Sequence, residues 1–241
     1  MRFRYVADPH PHLVIDELVA PDAYDRMQFP DGLVLQGAEW GITTGDPAYA
    51  EILQDPDWQA LHAELTGEPF VRSVLQAFSA DMRAADCLVD ADTAQLIPFV
   101  ESRAEKQLAV LSTDAEPNEV FTRVDFQSKA EGGYRDFVHL DWGRRIVGGI
   151  LFFSDADEEG LEGGELALYR DNDFRNDRWC HDPERTAAFA PRHNTGVIFL
   201  NSNKGFHGPT AITKLDGRRR WLYFTISSKV DIWPAADRVP A

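Results

Sequence analysis

The hydrophobic period of this chain changes near residue 120, and that change limits what it can fold into. Across residues 121–127 (Phe-Thr-Arg-Val-Asp-Phe-Gln) apolar and polar side chains alternate. A period of two belongs to a β-strand, whose successive side chains point to opposite faces. Further strands are predicted at 136–141, 146–153, 165–169, 186–189, 195–200 and 219–227. Acidic or glycine-rich turns separate them, notably at 155–160 and 162–164. Short strands at such spacing predict a mainly β fold, a sandwich or barrel, with flanking helices.

Before residue 120 the texture is mixed. Residues 12–16 (His-Leu-Val-Ile-Asp) read as a short strand, and Pro21-Asp22 opens a helix running to Met27. Asp55 is placed as an N-cap with Pro56 in the first turn. Trp58, Leu61 and Leu65 follow at helical spacing, and Gly67 closes that helix. A second helix is predicted over 97–111. No flexible linker divides the chain, so a single domain over 1–241 is expected. In it, residues 1–120 give helical and strand support and 121–230 form the core.

Composition narrows the classes. With 44% hydrophobic residues the 241-residue chain has the material for a buried core and is not a disordered polymer. No run approaches the ~20 apolar residues of a membrane helix. The start, Met1-Arg2-Phe3-Arg4-Tyr5, lacks the apolar stretch of a signal peptide. A cytoplasmic location and no membrane partner are therefore expected. A formal net charge of −16 opposes a phosphate backbone, so no nucleic-acid partner is expected. Two cysteines, Cys87 and Cys180, supply neither a disulfide framework nor a four-thiolate zinc site. A metal site in this chain has to draw on His and Asp.

His139-Leu140-Asp141 lies in a predicted strand, where residues two apart share a face. An imidazole and a carboxylate on one face are two adjacent ligands for a divalent cation. A second histidine from another strand would complete the two-His, one-carboxylate set of non-haem Fe(II) sites. The competing reading is a surface His that chance has put beside an Asp in an acidic chain. His207 lies just past the apolar run 197–200, within Phe206-His207-Gly208-Pro209-Thr210. Arg218, Arg219 and Arg220 then lead into Trp221-Leu222-Tyr223-Phe224. A guanidinium there suits a dicarboxylate, which it can grip with two parallel hydrogen bonds.

These elements together resemble the Fe(II)/2-oxoglutarate-dependent dioxygenase superfamily, in particular its prolyl-hydroxylase-like branch. The residues that carry the resemblance are His-Leu-Asp at 139–141, Gly-Gly-Glu-Leu at 163–166, the Asn194-Thr195 strand leading to 206–210, and the arginine strand at 218–224. It covers roughly residues 121–228, with a similar entry at 12–16. The resemblance implies a double-stranded β-helix (jelly-roll, cupin-like) core. It implies Fe(II) on His139, Asp141 and His207, with 2-oxoglutarate as co-substrate alongside O2. It also implies an arginine after His207 on the distal carboxylate of 2-oxoglutarate. Arg220, directly before Trp221-Leu222, is the expected clamp, and Arg218 is the second choice. Arg123 and Tyr134 are further candidates for contact with 2-oxoglutarate.

The implied reaction hydroxylates an unactivated C–H bond of an amino acid, peptidyl residue or small metabolite, and converts 2-oxoglutarate to succinate and CO2. Two other readings stay open from the residues alone. One is a cupin-type metalloenzyme that does not use 2-oxoglutarate; the other is a non-catalytic β-sandwich that binds a ligand. Oligomeric state is also open.

Several other residues invite a role. His193 rivals His207 as third ligand, but its place at a strand start favours a loop role. His181 follows Cys180 with no second thiol nearby. His10, His12 and His62 are expected at strand edges or on a helix surface. Trp142, Arg144 and Arg145 are expected either in a solvated turn or at the mouth of the site, where a basic pair suits an acidic substrate. Residues 155–159 lack calcium-loop spacing and are expected to form a solvated turn.

Overall fold

The computed structural model describes residues 1–36, 41–99, 101, 111–112, 114–130, 137–175, 177 and 179–234. The strongly alternating strands pair into two sheets. The large sheet runs in the order β1 (Arg2–Val6), β2 (His12–Glu17), β9 (Thr195–Leu200), β6 (Arg145–Phe152), β11 (Arg219–Ser228), β5 (Glu119–Lys129) and β3 (Ile42–Thr43). β4 (Gln95–Leu96) pairs with β5 in parallel; the other pairs are antiparallel. The small sheet has the order β10 (His207–Pro209), β7 (Leu166–Asp171) and β8 (Pro183–Phe189).

The alternation on β11 decides what each face of the large sheet does. Leu222, Phe224 and Ile226 point into the main core with Val124 and Phe126 of β5 and Leu151 of β6. Helices cover that face: α1 (Pro21–Tyr24), α2 (Asp31–Gln36), α3 (Pro47–Ile52), α4 (Pro56–Leu65), α5 (Glu68–Ala77) and α6 (Ser79–Ala84). Trp58, Leu61, Leu65, Phe70, Val74 and Phe78 supply their side of the core. Each such side chain contributes about 1.5–3 kcal/mol on burial. On the opposite face, Phe152, Val197, Phe199 and Trp221 meet Leu166 and Leu168 of the small sheet. The fold is thus mainly β with flanking helices, and the central strands β6, β9 and β11 are buried on both faces.

Residues before 120 do more than support this layer. β1 and β2 extend one side of the large sheet, while β3 and β4 extend the other. The Asp55 cap is formed: its carboxylate accepts from the Asp57 and Trp58 amides at 2.9 and 3.2 Å. Gly67 does not end α4. Thr66 is the C-cap and Gly67 already caps α5, so two helices join with almost no loop. The expected helix from Pro21 to Met27 is formed only to Tyr24. The helix expected at 97–111 does not begin at Ile97, whose amide donates to Val120 O at 2.8 Å and prolongs the β4 ladder. Residues 100 and 102–110 lie outside the described residues. Among the described residues, no helix is long and apolar enough to cross a membrane.

Candidate metal centre

The expected strand at 136–141 reduces, over its described part, to one antiparallel bridge between His139 and His207. The two residues exchange both backbone hydrogen bonds, at 2.9 and 3.0 Å. That bridge attaches His139 to β10 and sets the two imidazoles 4.5 Å apart, centroid to centroid. Gly208 permits it, because a Cβ at that position would overlap the Phe137 carbonyl oxygen.

Asp141 completes the set. His139 Nε2 lies 3.9 Å from its Oδ1, and His207 Nε2 lies 3.8 Å from its Oδ2. Among the described residues these three form the one group whose ligand atoms converge, all within 4.8 Å of one another. The tautomers suit a metal. His139 Nδ1 faces Phe137 O at 3.1 Å, and His207 Nδ1 faces Gly205 O at 2.9 Å. A carbonyl oxygen only accepts, so each Nδ1 carries a proton and each ring turns its Nε2 towards Asp141. Burial, then the neighbouring His139, lowers the pKa of His207 to about 4, against the opposing pull of Asp141. The ring is therefore neutral near pH 7, the form that ligates.

The carboxylate is fixed from both sides. Its Oδ1 accepts from Arg145 Nη1 at 2.6 Å and its Oδ2 from the Tyr223 hydroxyl at 2.8 Å. Arg145 Nη1 also donates to the Tyr223 oxygen at 2.7 Å, closing a ring of three side chains. Burial disfavours the charged carboxylate, but Arg145, the two imidazoles and the Tyr223 bond outweigh it and hold its pKa well below the ordinary value. Burial pushes the Tyr223 phenol well up, so it remains a neutral donor. Asn201, fully buried, joins the segment together: its Oδ1 accepts from the Asp141 amide, and its Nδ2 donates to Trp142 O and Arg145 O.

The three side chains sit in the wall of a cavity of about 370 Å³ between the sheets. Phe199, Ile150, Leu166 and Trp221 make part of that wall apolar, and Arg123, Arg145 and Arg219 make it cationic. Gln127 lines it as well, on the face it shares with Arg123. Arg219 is buried, with its guanidinium 4.2 Å from the Trp221 ring centroid and its Nε donating to Gly164 O at 2.7 Å.

The expected clamps lie elsewhere. Arg220 does not line the cavity; it pairs with Asp31 at 2.8 Å and with Glu159. Arg218 donates its backbone N–H to Glu159 Oε2 at 2.6 Å and is also outside the lining. Side chains two apart share a face, and that face for 218 and 220 is not the one that meets the small sheet. Arg123 lines the cavity but is held from behind by Asp125 and Glu101. Tyr134 lies outside the described residues.

Other expectations are corrected too. Arg144 is buried against Glu101 and Arg145 is buried too, so neither forms a solvated turn; Trp142 and Arg145 line the cavity, which fits the other reading, at the mouth of the site. His10 and His12 are buried, not at a strand edge. Residues 155–159 are more than a solvated turn, since Glu159 anchors Arg218 and Arg220. His193 is bound to Tyr24 and Glu158, and His181 to Asp177, both away from the site. Tyr223 and Asn201 were not singled out from the sequence. Tyr223 shares the face of Arg219 and Trp221, a signal that was present; for Asn201 there was none.

No family model matches the chain, and no curated protein sequence does. Solved structures do match. A 2OG-Fe(II) oxygenase family oxidoreductase from Burkholderia pseudomallei is 14% identical with a TM-score of 0.40, over 76% of this chain and 63% of that one. A prolyl 4-hydroxylase from Phytophthora capsici is 15% identical with a TM-score of 0.40, over 78% of this chain and 48% of that one. A prolyl hydroxylase from Trichoplax adhaerens, in complex with a hypoxia inducible factor peptide fragment, is 10% identical with a TM-score of 0.43, over 90% and 84%. This chain therefore spans about half to two thirds of the first two structures. All three TM-scores fall below 0.5, and any functional assignment rests on the site itself.

Proposed function

We propose that the chain is a non-haem Fe(II)/2-oxoglutarate-dependent oxygenase that hydroxylates an unactivated C–H bond. The observation that carries this reading is the convergence of two imidazole Nε2 atoms and one carboxylate within 4.8 Å at the wall of a cavity. Two histidines and one carboxylate are the donor set for Fe(II) with positions left open. In this reading His139, Asp141 and His207 hold the metal, and the facing sheets are a double-stranded β-helix core in a single domain. Fe(II) bound there with 2-oxoglutarate would supply O2 activation, coupled to decarboxylation of the co-substrate to succinate and CO2.

The chain's own residues then have separable tasks. The Arg145–Tyr223 pair orients the carboxylate, and the carbonyls of Phe137 and Gly205 fix the imidazole tautomers. Arg219, on the cavity wall and backed by Trp221, takes the distal carboxylate of 2-oxoglutarate in place of Arg220 or Arg218. Phe199, Ile150 and Leu166 keep the interior poor in water. A cavity of about 370 Å³ suits an amino acid, a peptidyl residue or a small metabolite beside the co-substrate.

The test is anaerobic addition of Fe(II) and 2-oxoglutarate, watching for the weak visible charge-transfer band of the chelate, followed by succinate measurement in air. A band that is lost in His207→Ala is the expected result. Absence of both band and succinate sinks the proposal. Screening amino acids and short peptides for stimulated succinate formation then identifies the substrate class.

A further inference from the structure

We propose that Arg145 makes divalent-metal binding at His139, Asp141 and His207 conditional on a bound anion. The inference rests on reading those three residues as a metal site. Arg145 neutralises the one anionic ligand before any metal arrives: its Nη1 lies 2.6 Å from Asp141 Oδ1. Tyr223 holds the other carboxylate oxygen, so a cation has to share both oxygens with donors already in place.

The guanidinium is held where it is. The Arg145 amide donates to Trp142 O at 3.0 Å, and its carbonyl accepts from Trp233 Nε1 at 2.7 Å and Asn201 Nδ2 at 3.1 Å. Its guanidinium lies 5.4 Å from the centroid of the Tyr223 ring. The other buried carboxylates nearby are engaged, Glu101 by Arg123 and Arg144, and Asp125 by Arg123. Asp141 is thus the carboxylate that answers Arg145.

With the imidazoles counted as uncharged ligands, Asp141 and Arg145 sum to zero, where a two-His, one-carboxylate set without the arginine carries −1. A divalent cation raises the total to +2 beside a further cationic wall residue, Arg219. In a buried site that excess is weakly screened. A dianion such as 2-oxoglutarate returns the sum to zero. Metal and dicarboxylate therefore bind as a coupled pair, and Arg145 sets the coupling. By reciprocity, the metal raises the affinity for the anion by the same factor.

The experiment is calorimetric titration of the full chain with Mn²⁺, a redox-quiet probe, with and without saturating 2-oxoglutarate. In the wild type the anion tightens Mn²⁺ binding by ~10-fold or more, the range typical of groups adjoining a metal ligand. In Arg145→Gln the tightening of Mn²⁺ binding by 2-oxoglutarate shrinks several-fold, whatever the absolute affinity, because the residue that balances Asp141 is also one that orients it. Arg145→Lys, which keeps the charge, retains most of the tightening. Tyr223→Phe breaks the hydrogen-bonded ring but not the charge balance, so the ratio of Mn²⁺ affinities with and without anion is retained even where the absolute affinity falls; if Arg145→Gln does not fold, absence of tightening in the wild type still overturns the proposal. Mn²⁺ binding that is equally tight with and without anion in the wild type overturns the role of Arg145 and leaves the metal site standing. Undiminished tightening by 2-oxoglutarate in folded Arg145→Gln does the same. Absence of Mn²⁺ binding under both conditions overturns the metal site itself, and the inference with it.

Discussion

Arg219 and Arg220 are neighbours on β11, yet their guanidinium groups serve opposite sides of the large sheet. Arg219 lines the cavity and donates to Gly164 O at 2.7 Å; Arg220 binds Asp31 at 2.8 Å and Glu159. The expected outcome of exchanging each for Met is therefore a clean split. Arg219→Met weakens 2-oxoglutarate binding by ~30-fold or more, the loss of a charge-assisted pair. Arg220→Met leaves that affinity within ~2-fold but costs about 1–3 kcal/mol of stability, because Asp31 and Glu159 lose their cation. Calorimetric titration and urea unfolding of both variants check this; equal effects on affinity would refute the assignment of the two faces.

That pair also shows how much the sequence could tell. The alternation on β11 placed Arg219 with Trp221 and Tyr223, and Arg218 and Arg220 with Leu222 and Phe224. Which face met the cavity depended on the helices that cover the other side. The sequence pattern does not single out α2, α3, α5 or α6; for α5 the reason is that Gly67 reads as a stop when it is also the start of that helix. The strand at 195–200 was legible to the residue, since the apolar run 197–200 bounded by turns leaves little choice. The His139, Asp141 and His207 set was legible as a residue pattern, but a single backbone bridge between chain-distant segments, not a full strand, brings it together. Asn201 leaves no local mark, and the Arg145–Tyr223 ring forms through long-range pairing that the shared face of Tyr223 and Arg219 only hints at.

Asp141→Asn is expected to do two things at once. It removes the anionic ligand, so Mn²⁺ affinity falls by ~100-fold. It also leaves Arg145 as a buried cation without its carboxylate, and the metal-free protein loses on the order of 3 kcal/mol. His139→Gln, at a more exposed position, lowers metal affinity with far less cost in stability. Urea midpoints of the metal-free proteins give the contrast; an unchanged midpoint in Asp141→Asn would argue that Arg145 is solvated.

The metal-free protein is expected to weaken as pH falls below about 6.5. His10 is buried, and neither ring nitrogen has a hydrogen-bond partner. Burial, followed by His207 and His12, lowers its pKa to about 3. The unfolded chain therefore takes up the proton first, between about pH 6.5 and 3. Stability present above pH 6.5 is lost progressively through that window, on the order of a few kcal/mol. His12, lowered by burial, adds in the same direction. His10→Phe should flatten the slope of unfolding free energy against pH, whatever its absolute stability. Urea midpoints across that range test it, and an unchanged slope would place the acid sensitivity elsewhere.

A Cβ on Gly148 would lie 2.6 and 2.8 Å from Phe199 ring carbons and 3.1 Å from Asp141 Oδ2. The Phe199 ring cannot yield towards the cavity without pressing on His207, whose ring centroid is 4.0 Å away. Gly148→Ala is therefore expected to cost about 1–3 kcal/mol by overpacking. The strain falls on two of the three candidate ligand residues, so Mn²⁺ affinity should drop by ~10-fold as well. Gly149 is the control, because it points to the other face of β6. There a Cβ meets Ile198 at 3.1 Å and Phe224 at 3.5 Å, in the core under the helices. Gly149→Ala should lower the urea midpoint while leaving Mn²⁺ affinity within ~2-fold of wild type. If both variants lost metal equally, the effect would be global loosening of β6 and not displacement of His207.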